Sequence, residues 1–297
     1  MTLLTSIQDV CDELGIVKPT AVVTSQDRQI IQLLALANRA GDELMRLHDW
    51  QQLQKEHRFY TTTTTKSATV TASSASVTVA DTSDISTNYG VSGTGILADS
   101  LISSIDSPTT FTMTAQASAS GTPTLTFAQC KYNMPTGFNR MTSNTEFDKS
   151  GENRIYGNKS PQYWQDLKAL GFTASPYYKF RQQGNQFVVY PFPSDGLRFG
   201  FEYVTGYWAQ SAAGTDKAKF TADDDVTNIP EHLVTLLTKV KFYEAKGLDA
   251  SALSMDYMKA LELAKGNDTP APNLNMSSDY VSPLLGNRNT PEINYGS

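Results

Sequence analysis

Residues 61–127 constrain the fold most, because a segment almost free of charge interrupts a chain whose flanks carry helical patterns. The segment holds 18 Thr and 13 Ser and only five charged residues. Thr alternates there with apolar residues, as in Val77-Thr78-Val79 and Leu125-Thr126-Phe127, and a period of two indicates strands. Glycines at turn spacing punctuate these strands. The sequence therefore predicts a small inserted all-β domain over residues 61–130.

Both flanks carry apolar residues at helical spacing. The pattern predicts four helices, at residues 4–14, 26–49, 230–246 and 251–265. Gly15 and Gly247 stand where the first and third helices should end, and Thr24 or Ser25 is the expected N-cap of the second.

A single helix pair cannot bury two apolar stripes, so helices from both ends of the chain should close into one bundle. Leu34 and Leu237 are the predicted core residues of that bundle. Gly41, inside the second helix, is expected to mark a close approach between helices. In the last helix, Leu253, Met255, Met258 and Leu261/Leu263 supply the apolar stripe.

Between the insertion and the last two helices, the pattern is mixed. Ser160-Pro161 opens a short helix that Gly171 ends, and three strands follow between Tyr177 and Trp208. The predicted fold class is α+β: a helical bundle of N- and C-terminal helices, a small β-sheet region and an inserted all-β domain. The predicted domains are a discontinuous core, the insertion and an extended C-terminal arm, at residues 1–60 plus 131–266, 61–130 and 267–297.

Charge and composition exclude several classes of protein. The chain carries 24 Lys and Arg against 30 Asp and Glu, a net charge of −6, which argues against a basic face that wraps nucleic acid. Its longest apolar run, residues 33–37, is too short to span a bilayer, and the sequence shows no secretory signal pattern. Two cysteines, Cys11 and Cys130, make no disulfide framework, so we expect a reducing compartment.

Motifs for catalysis, metal binding or cofactor binding are not found. His48, His57 and His232 lack the spacing of a helical metal pair. The run Asp223-Asp224-Asp225 lacks the spread of ligands that a calcium loop needs, and is better explained as an acidic loop that favours the N-terminus of the Pro230 helix. We therefore expect no cofactor, no metal and no enzymatic activity.

Twelve of the aromatic residues between Trp164 and Trp208 allow two interpretations. They form either a stacking platform for sugars or bases, or the core and interface surface of a sheet, because alternation buries half of them in any case. These residues are Trp164, Tyr177, Tyr178, Phe180, Phe187, Tyr190, Phe192, Phe199, Phe201, Tyr203, Tyr207 and Trp208.

In order and spacing, motifs outside the insertion resemble the head-to-tail adaptor (connector) proteins of tailed bacteriophages. The matching stretches are Leu47-His48-Asp49-Trp50-Gln51-Gln52-Leu53, Tyr132-Asn133-Met134-Pro135-Thr136-Gly137-Phe138, Ser160-Pro161-Gln162-Tyr163-Trp164, Tyr190-Pro191-Phe192-Pro193, Phe201-Glu202-Tyr203-Val204, and the acidic run that leads to Ile229-Pro230-Glu231. The insertion resembles Ser/Thr-rich β modules of phage virion proteins.

The resemblance implies a structural virion protein: a ring, commonly of twelve copies, under the portal. Such a ring joins the head to a tail or nozzle protein and continues the DNA channel, through which DNA passes without specific binding. It would be assembled in the host bacterial cytoplasm and reside in the neck of the virion, with no membrane partner. Two alternatives remain: a glycan-binding or adhesive module in the insertion and, less favoured, a cell-wall hydrolase, for which no carboxylate pair can be nominated.

The segment 267–297 is predicted to be an extended arm that binds the portal or a neighbouring subunit. Its four prolines exclude a long helix, and its four charges are too few for a solvated tail. Apolar side chains recur along it at intervals suited to successive pockets on a partner. The candidate partner-binding residues are Leu274, Met276, Tyr280, Val281, Leu284, Leu285, Ile293 and Tyr295.

Overall fold

The computed structural model describes residues 2–169 and 177–268, and it has the α+β fold that the sequence predicts. Five helices and a short 3-10 helix at Gln51–Leu53 lie among four antiparallel sheets. The helices are α1 (Leu3–Leu14), α2 (Arg28–Leu47), α3 (Pro161–Ala169), α4 (Glu231–Lys246) and α5 (Ser251–Asp268).

Local signals set most helix ends. Gly15 and Gly247 both adopt the left-handed conformation after α1 and α4, with φ of 66° and 70°, as predicted. The predicted N-cap of α2 is wrong. Asp27, rather than Thr24 or Ser25, accepts the hydrogen bond from Gln29 N–H at 2.8 Å, since a carboxylate is an equally good cap at the first helical turn.

Helices from the two ends of the chain share one core, which confirms the predicted bundle. α4 packs against α1, α2 and α5. Leu237 is buried in this core, whereas Leu34 is only half-buried at its edge, and the neighbouring Leu33 is fully buried instead. A 100° step per residue separates the two leucines, so the packing selects which of them points inward.

A six-stranded antiparallel sheet fills the segment between residues 63 and 129. Its order is β4-β7-β2-β3-β6-β5, and its own core centres on Phe111, Leu125 and Phe127. The first residue of the sheet, Thr63, pairs with Ala128, so the chain enters and leaves at one place. The strands are β2 (Thr63–Val70), β3 (Ser76–Val79), β4 (Tyr89–Ser92), β5 (Ile102–Ser107), β6 (Thr110–Met113) and β7 (Thr124–Gln129).

Three smaller sheets complete the fold. In the five-stranded sheet, β14 lies between β1 and β10, β10 also pairs with β11, and β9 pairs with the far end of β14. Its strands are β1 (Gln54–Tyr60), β9 (Phe138–Met141), β10 (Phe147–Asp148), β11 (Asn153–Arg154) and β14 (Arg198–Thr205). The two three-stranded sheets have the orders β12-β13-β8 and β16-β15-β17. Their strands are β8 (Lys131–Asn133), β12 (Lys179–Gln183), β13 (Gln186–Tyr190), β15 (Ala209–Gln210), β16 (Asp216–Lys217) and β17 (Val226–Thr227).

Gly41 of α2 allows a close approach, but the partner is a tryptophan ring and not the expected helix. A Cβ at this position would lie within 3.0 Å of three ring atoms of Trp208. Trp208 is fully buried, and its indole N–H donates to Asp42 at 2.9 Å. The Trp208 ring is therefore fixed against α2 and leaves no space for a side chain at Gly41.

We expect Gly41→Ala to destabilise the protein although alanine favours helices. The propensity gain is about 1 kcal/mol, whereas overpacking a rigid core site costs about 1–3 kcal/mol. Chemical denaturation of the wild type and of Gly41→Ala measures the difference in their free energies of unfolding. Gly266→Ala is the matched control, because that helical glycine has open space around it and should tolerate a methyl group. An unchanged or higher midpoint for Gly41→Ala would contradict the steric explanation.

Candidate assembly surfaces

The three histidines are dispersed and serve different structural roles. His57 contacts the rings of Phe59 and Phe201, and burial lowers its pKa. His232 is exposed in the first turn of α4, and His48 lies at the end of α2. Across residues 2–169 and 177–268, no group of three His, Cys, Asp or Glu side chains could hold a metal ion.

The acidic run fastens the N-terminal helix to the C-terminal half of the chain. The carbonyl oxygens of Asp223 and Asp225 accept from Leu4 N–H at 3.0 Å and Leu3 N–H at 2.7 Å. The Asp223 carboxylate also accepts from the N–H of Val23 at 2.8 Å. The hydrogen bonds of Asp223 are thus made with α1 and with the loop that follows α1. The effect of the run on the N-terminus of α4 stays a prediction.

Asp225 is fully buried and held by a cation and two amides. Its carboxylate accepts from Lys217 Nζ at 2.6 Å and from the N–H groups of Thr221 and Ala222 at 2.7 and 2.9 Å. Burial alone would raise its pKa, but these hydrogen bonds outweigh burial and leave the pKa below its ordinary value. The charged form thus stabilises the folded state.

We expect Asp225→Asn to lower the free energy of unfolding by about 1.5–3 kcal/mol at neutral pH, the range for hydrogen bonds to a charged group. Because the folded-state pKa is depressed, this contribution is complete above the unfolded pKa of about 3.9 and is lost as pH falls through the folded value. Denaturation from pH 7 to pH 3 should show the gap to wild type closing in acid. Asp224→Asn, at an exposed neighbour, is the control; a gap independent of pH would contradict the assignment.

Most of the aromatic cluster forms core, so the interpretation as a stacking platform is wrong for those residues. Phe187 stacks between Phe180 and Phe201 at ring distances of 4.5 and 5.3 Å. Eight of the twelve are buried: Trp164, Phe180, Phe187, Tyr190, Phe199, Phe201, Tyr203 and Trp208. Within 61–130, Phe111 and Phe127 are buried and Tyr89 is half-buried, which leaves the glycan-binding alternative without an exposed aromatic surface there.

The six-stranded sheet contacts the rest of the protein through a surface that we call the seam, which includes Gly90, Asp99, Lys168 and Phe192. Lys168 of α3 pairs with Asp99 at 2.9 Å, and a Cβ on Gly90 would lie within 3.0 Å of the Phe192 ring. Cavities of about 210 and 390 Å³ flank this contact and share Asp99, Tyr190 and Phe192 as walls. The sheet is therefore packed on the core, and its removal would uncover aromatic surface.

All eight candidate residues of the C-terminal arm lie outside the described residues. The predicted start of the arm is wrong by two residues, because residues 267 and 268 continue α5. The Asp268 carboxylate accepts from Gln51 N–H at 3.0 Å and lies 3.1 Å from His48 Nε2. Both partners belong to the junction between α2 and β1. We call His48, Gln51 and Asp268 the arm root.

α5 exposes three large apolar side chains to solvent. The sequence assigns Met255, Met258 and Leu263 to the apolar stripe of the bundle, and this is wrong: they are 61%, 63% and 68% exposed. Leu253 and Leu261, which the sequence assigns to the same stripe, do pack against the core, together with Tyr257. Exposed apolar patches of this kind mark interaction surfaces, and this one lies on the helix that leads to the arm root.

Comparison with known families identifies the class of protein. The family model for the SU10 adaptor protein matches residues 107–273, more than half of the chain. The chain therefore belongs to the SU10 adaptor family, and it is a phage adaptor, a structural and non-enzymatic protein. This confirms the resemblance derived from the sequence. No curated protein matches the chain.

The match begins within the six-stranded sheet, near β6, and extends past α5. It thus includes both three-stranded sheets and the helices that close the bundle. Among the described residues, no helix is long and apolar enough to cross a membrane.

Proposed function

We propose that this adaptor forms a ring, of about twelve copies as is common among adaptors that it resembles, beneath the portal of a DNA-filled head. The ring joins the portal to a tail or nozzle protein and continues the DNA channel in the neck of the virion, after assembly in the host cytoplasm. Membership of the adaptor family carries this proposal. The net charge of −6 per copy supports a channel that repels phosphates, through which DNA passes without specific binding.

The first test is assembly. Negative-stain electron microscopy of the purified chain, alone and mixed with portal, should show rings that stack on portal rings. Sedimentation provides the mass of the assembly and hence the number of copies. A chain that remains monomeric both alone and with portal would refute the proposal.

We also propose that the arm, residues 269–297, binds the portal or a neighbouring subunit. A free tail gains nothing from apolar side chains, whereas a partner with successive pockets stabilises each buried one by about 1.5–3 kcal/mol. The exposed apolar side chains of α5 and the arm root support this proposal, because they place apolar surface and a fixed starting point next to the arm.

A chain that ends at Asp268 should fold and yet fail to co-sediment with portal or to retain DNA in packaged heads. The end point keeps Asp268 and with it the contacts to His48 and Gln51. A second variant, Leu284→Ser with Leu285→Ser, should weaken portal binding at least about tenfold, since the loss exceeds 1.4 kcal/mol. Asn273→Ala with Ser277→Ala changes polar arm positions and is the matched control. Normal attachment by the shortened chain would contradict the role of the arm.

The insertion, residues 61–130, is proposed to be an autonomous domain on the outside of the ring. Replacing 62–129 by a short Gly/Ser linker should leave a helical protein that still forms rings or binds portal, since the paired ends of β2 and β7 need only a short bridge. The same replacement with Phe192→Gln guards against aggregation through the uncovered seam. Circular dichroism and sedimentation measure the outcome, and loss of folding in both variants would refute autonomy.

A further inference from the structure

Three arginines form a straight line on the outer side of α2. Arg28, Arg39 and Arg46 are separated by 11 and 7 residues, which correspond to about three and two turns of helix, so all three point in nearly one direction. All three are exposed, and the line is about 27 Å long at about 1.5 Å per residue. We call this surface the arginine line.

The arginine line has no carboxylate partner within residues 2–169 and 177–268. Two lysines of the same bundle do have carboxylate partners: Lys239 and Lys241 of α4 pair with Glu13 and Glu43. Guanidinium groups bind carboxylates through two parallel hydrogen bonds. A row of exposed arginines without such a partner is therefore available to bind carboxylates of another molecule. In a chain with a net charge of −6, such a row indicates a binding partner with carboxylates.

An acidic groove lies elsewhere on the same bundle, between α1 and α4. Its volume is about 420 Å³, and its walls include Asp9, Glu13, which pairs with Lys239, and Glu231, which accepts from Ser6 Oγ at 2.7 Å. Asp12 is exposed one turn further along α1, where its only ion pair within the described ranges is with the equally exposed Lys18. Surface pairs of that kind are worth little and are readily exchanged.

We propose that the arginine line of one copy binds the α1–α4 groove of the next copy. This assignment rests on the proposed ring and names its subunit contact. The two surfaces are different parts of one chain, so the contact is heterologous, and heterologous contacts generate rings when the rotation closes. A second copy is also the one partner that satisfies both surfaces at once.

Duplex DNA fits the arginine line less well. A single file of three arginines spread over five turns is sparse for phosphate binding, and the rest of the chain is acidic. DNA phosphates would also be repelled by the carboxylates of the α1–α4 groove.

Charge reversal tests the contact. Arg39→Glu with Arg46→Glu (the α2 variant) and Asp9→Arg with Asp12→Arg (the α1 variant) change exposed positions only, so both should fold. Each variant alone should need at least tenfold more protein than wild type for half-maximal ring assembly, with or without portal. Lys219→Glu with Lys246→Glu makes the same change in net charge as the α2 variant outside the arginine line and should assemble normally.

Mixing provides the decisive measurement. In an equimolar mixture, the reversed α2 surface meets the reversed α1 surface at one contact and the two native surfaces meet at the next, so rings of alternating copies should form. A chain with all four changes should assemble alone. Assembly by either single-surface variant at wild-type concentrations, or no rescue in the mixture, would overturn the assigned contact while the ring proposal stands.

Two other outcomes are distinguishable. Wild type that forms no rings, alone or with portal, would overturn the ring and the contact together. If the α2 variant loses binding to a duplex probe and still forms rings, the arginine line is a nucleic-acid surface and the subunit contact is wrong.

Discussion

Contact between the two ends of the chain is the interaction on which the rest of the structure depends. α4 lies against α1, α2 and α5, and Trp208 fills the space that Gly41 leaves open. Asp225 strengthens the same junction, because its carboxylate orders the loop whose carbonyl oxygens hold the start of α1. These contacts join residues about 200 positions apart, so the bundle requires long-range pairing at a considerable entropic cost. The six-stranded sheet leaves and rejoins the core at one place and does not interrupt this junction.

The sequence predicts the features that depend on local chemistry. Left-handed glycines end α1 and α4, Pro161 begins α3, and alternation finds the strands between Tyr177 and Trp208. The sequence does not predict which of two adjacent apolar residues is buried when only tertiary packing decides. Residues 33 and 34 are both leucine, and packing against α4 buries Leu33 rather than Leu34. Two-residue strands such as β10, β15 and β17 have no period to detect, since pairing with a neighbouring strand creates them.

For the candidate site, the sequence pattern indicates the family but not which residues form the assembly surfaces. An apolar residue in a helix is ordinarily a core residue, yet Met255, Met258 and Leu263 face solvent because one side of α5 suffices to cover the bundle. The acidic run shows the reverse error. Three adjacent aspartates suggest solvent or a cation, whereas Asp225 is buried because Lys217 of β16 and two amides of the following loop bind its carboxylate. The apolar pattern does not show which side of α5 faces the bundle, and the run of charges does not show that Asp225 finds its partners in the preceding loop.

The arginine line and the net charge bear on each other. A chain with a net charge of −6 repels DNA on average, but an exposed row of arginines would give DNA a local place to adhere. If the arginines are used between copies, each contact buries cations together with carboxylates and leaves the net charge of the copy unchanged. The same excess of negative charge is then distributed over a smaller remaining surface. A contact of this kind would hold the ring together and, by the same interaction, remove the basic surface that could retard DNA in the channel.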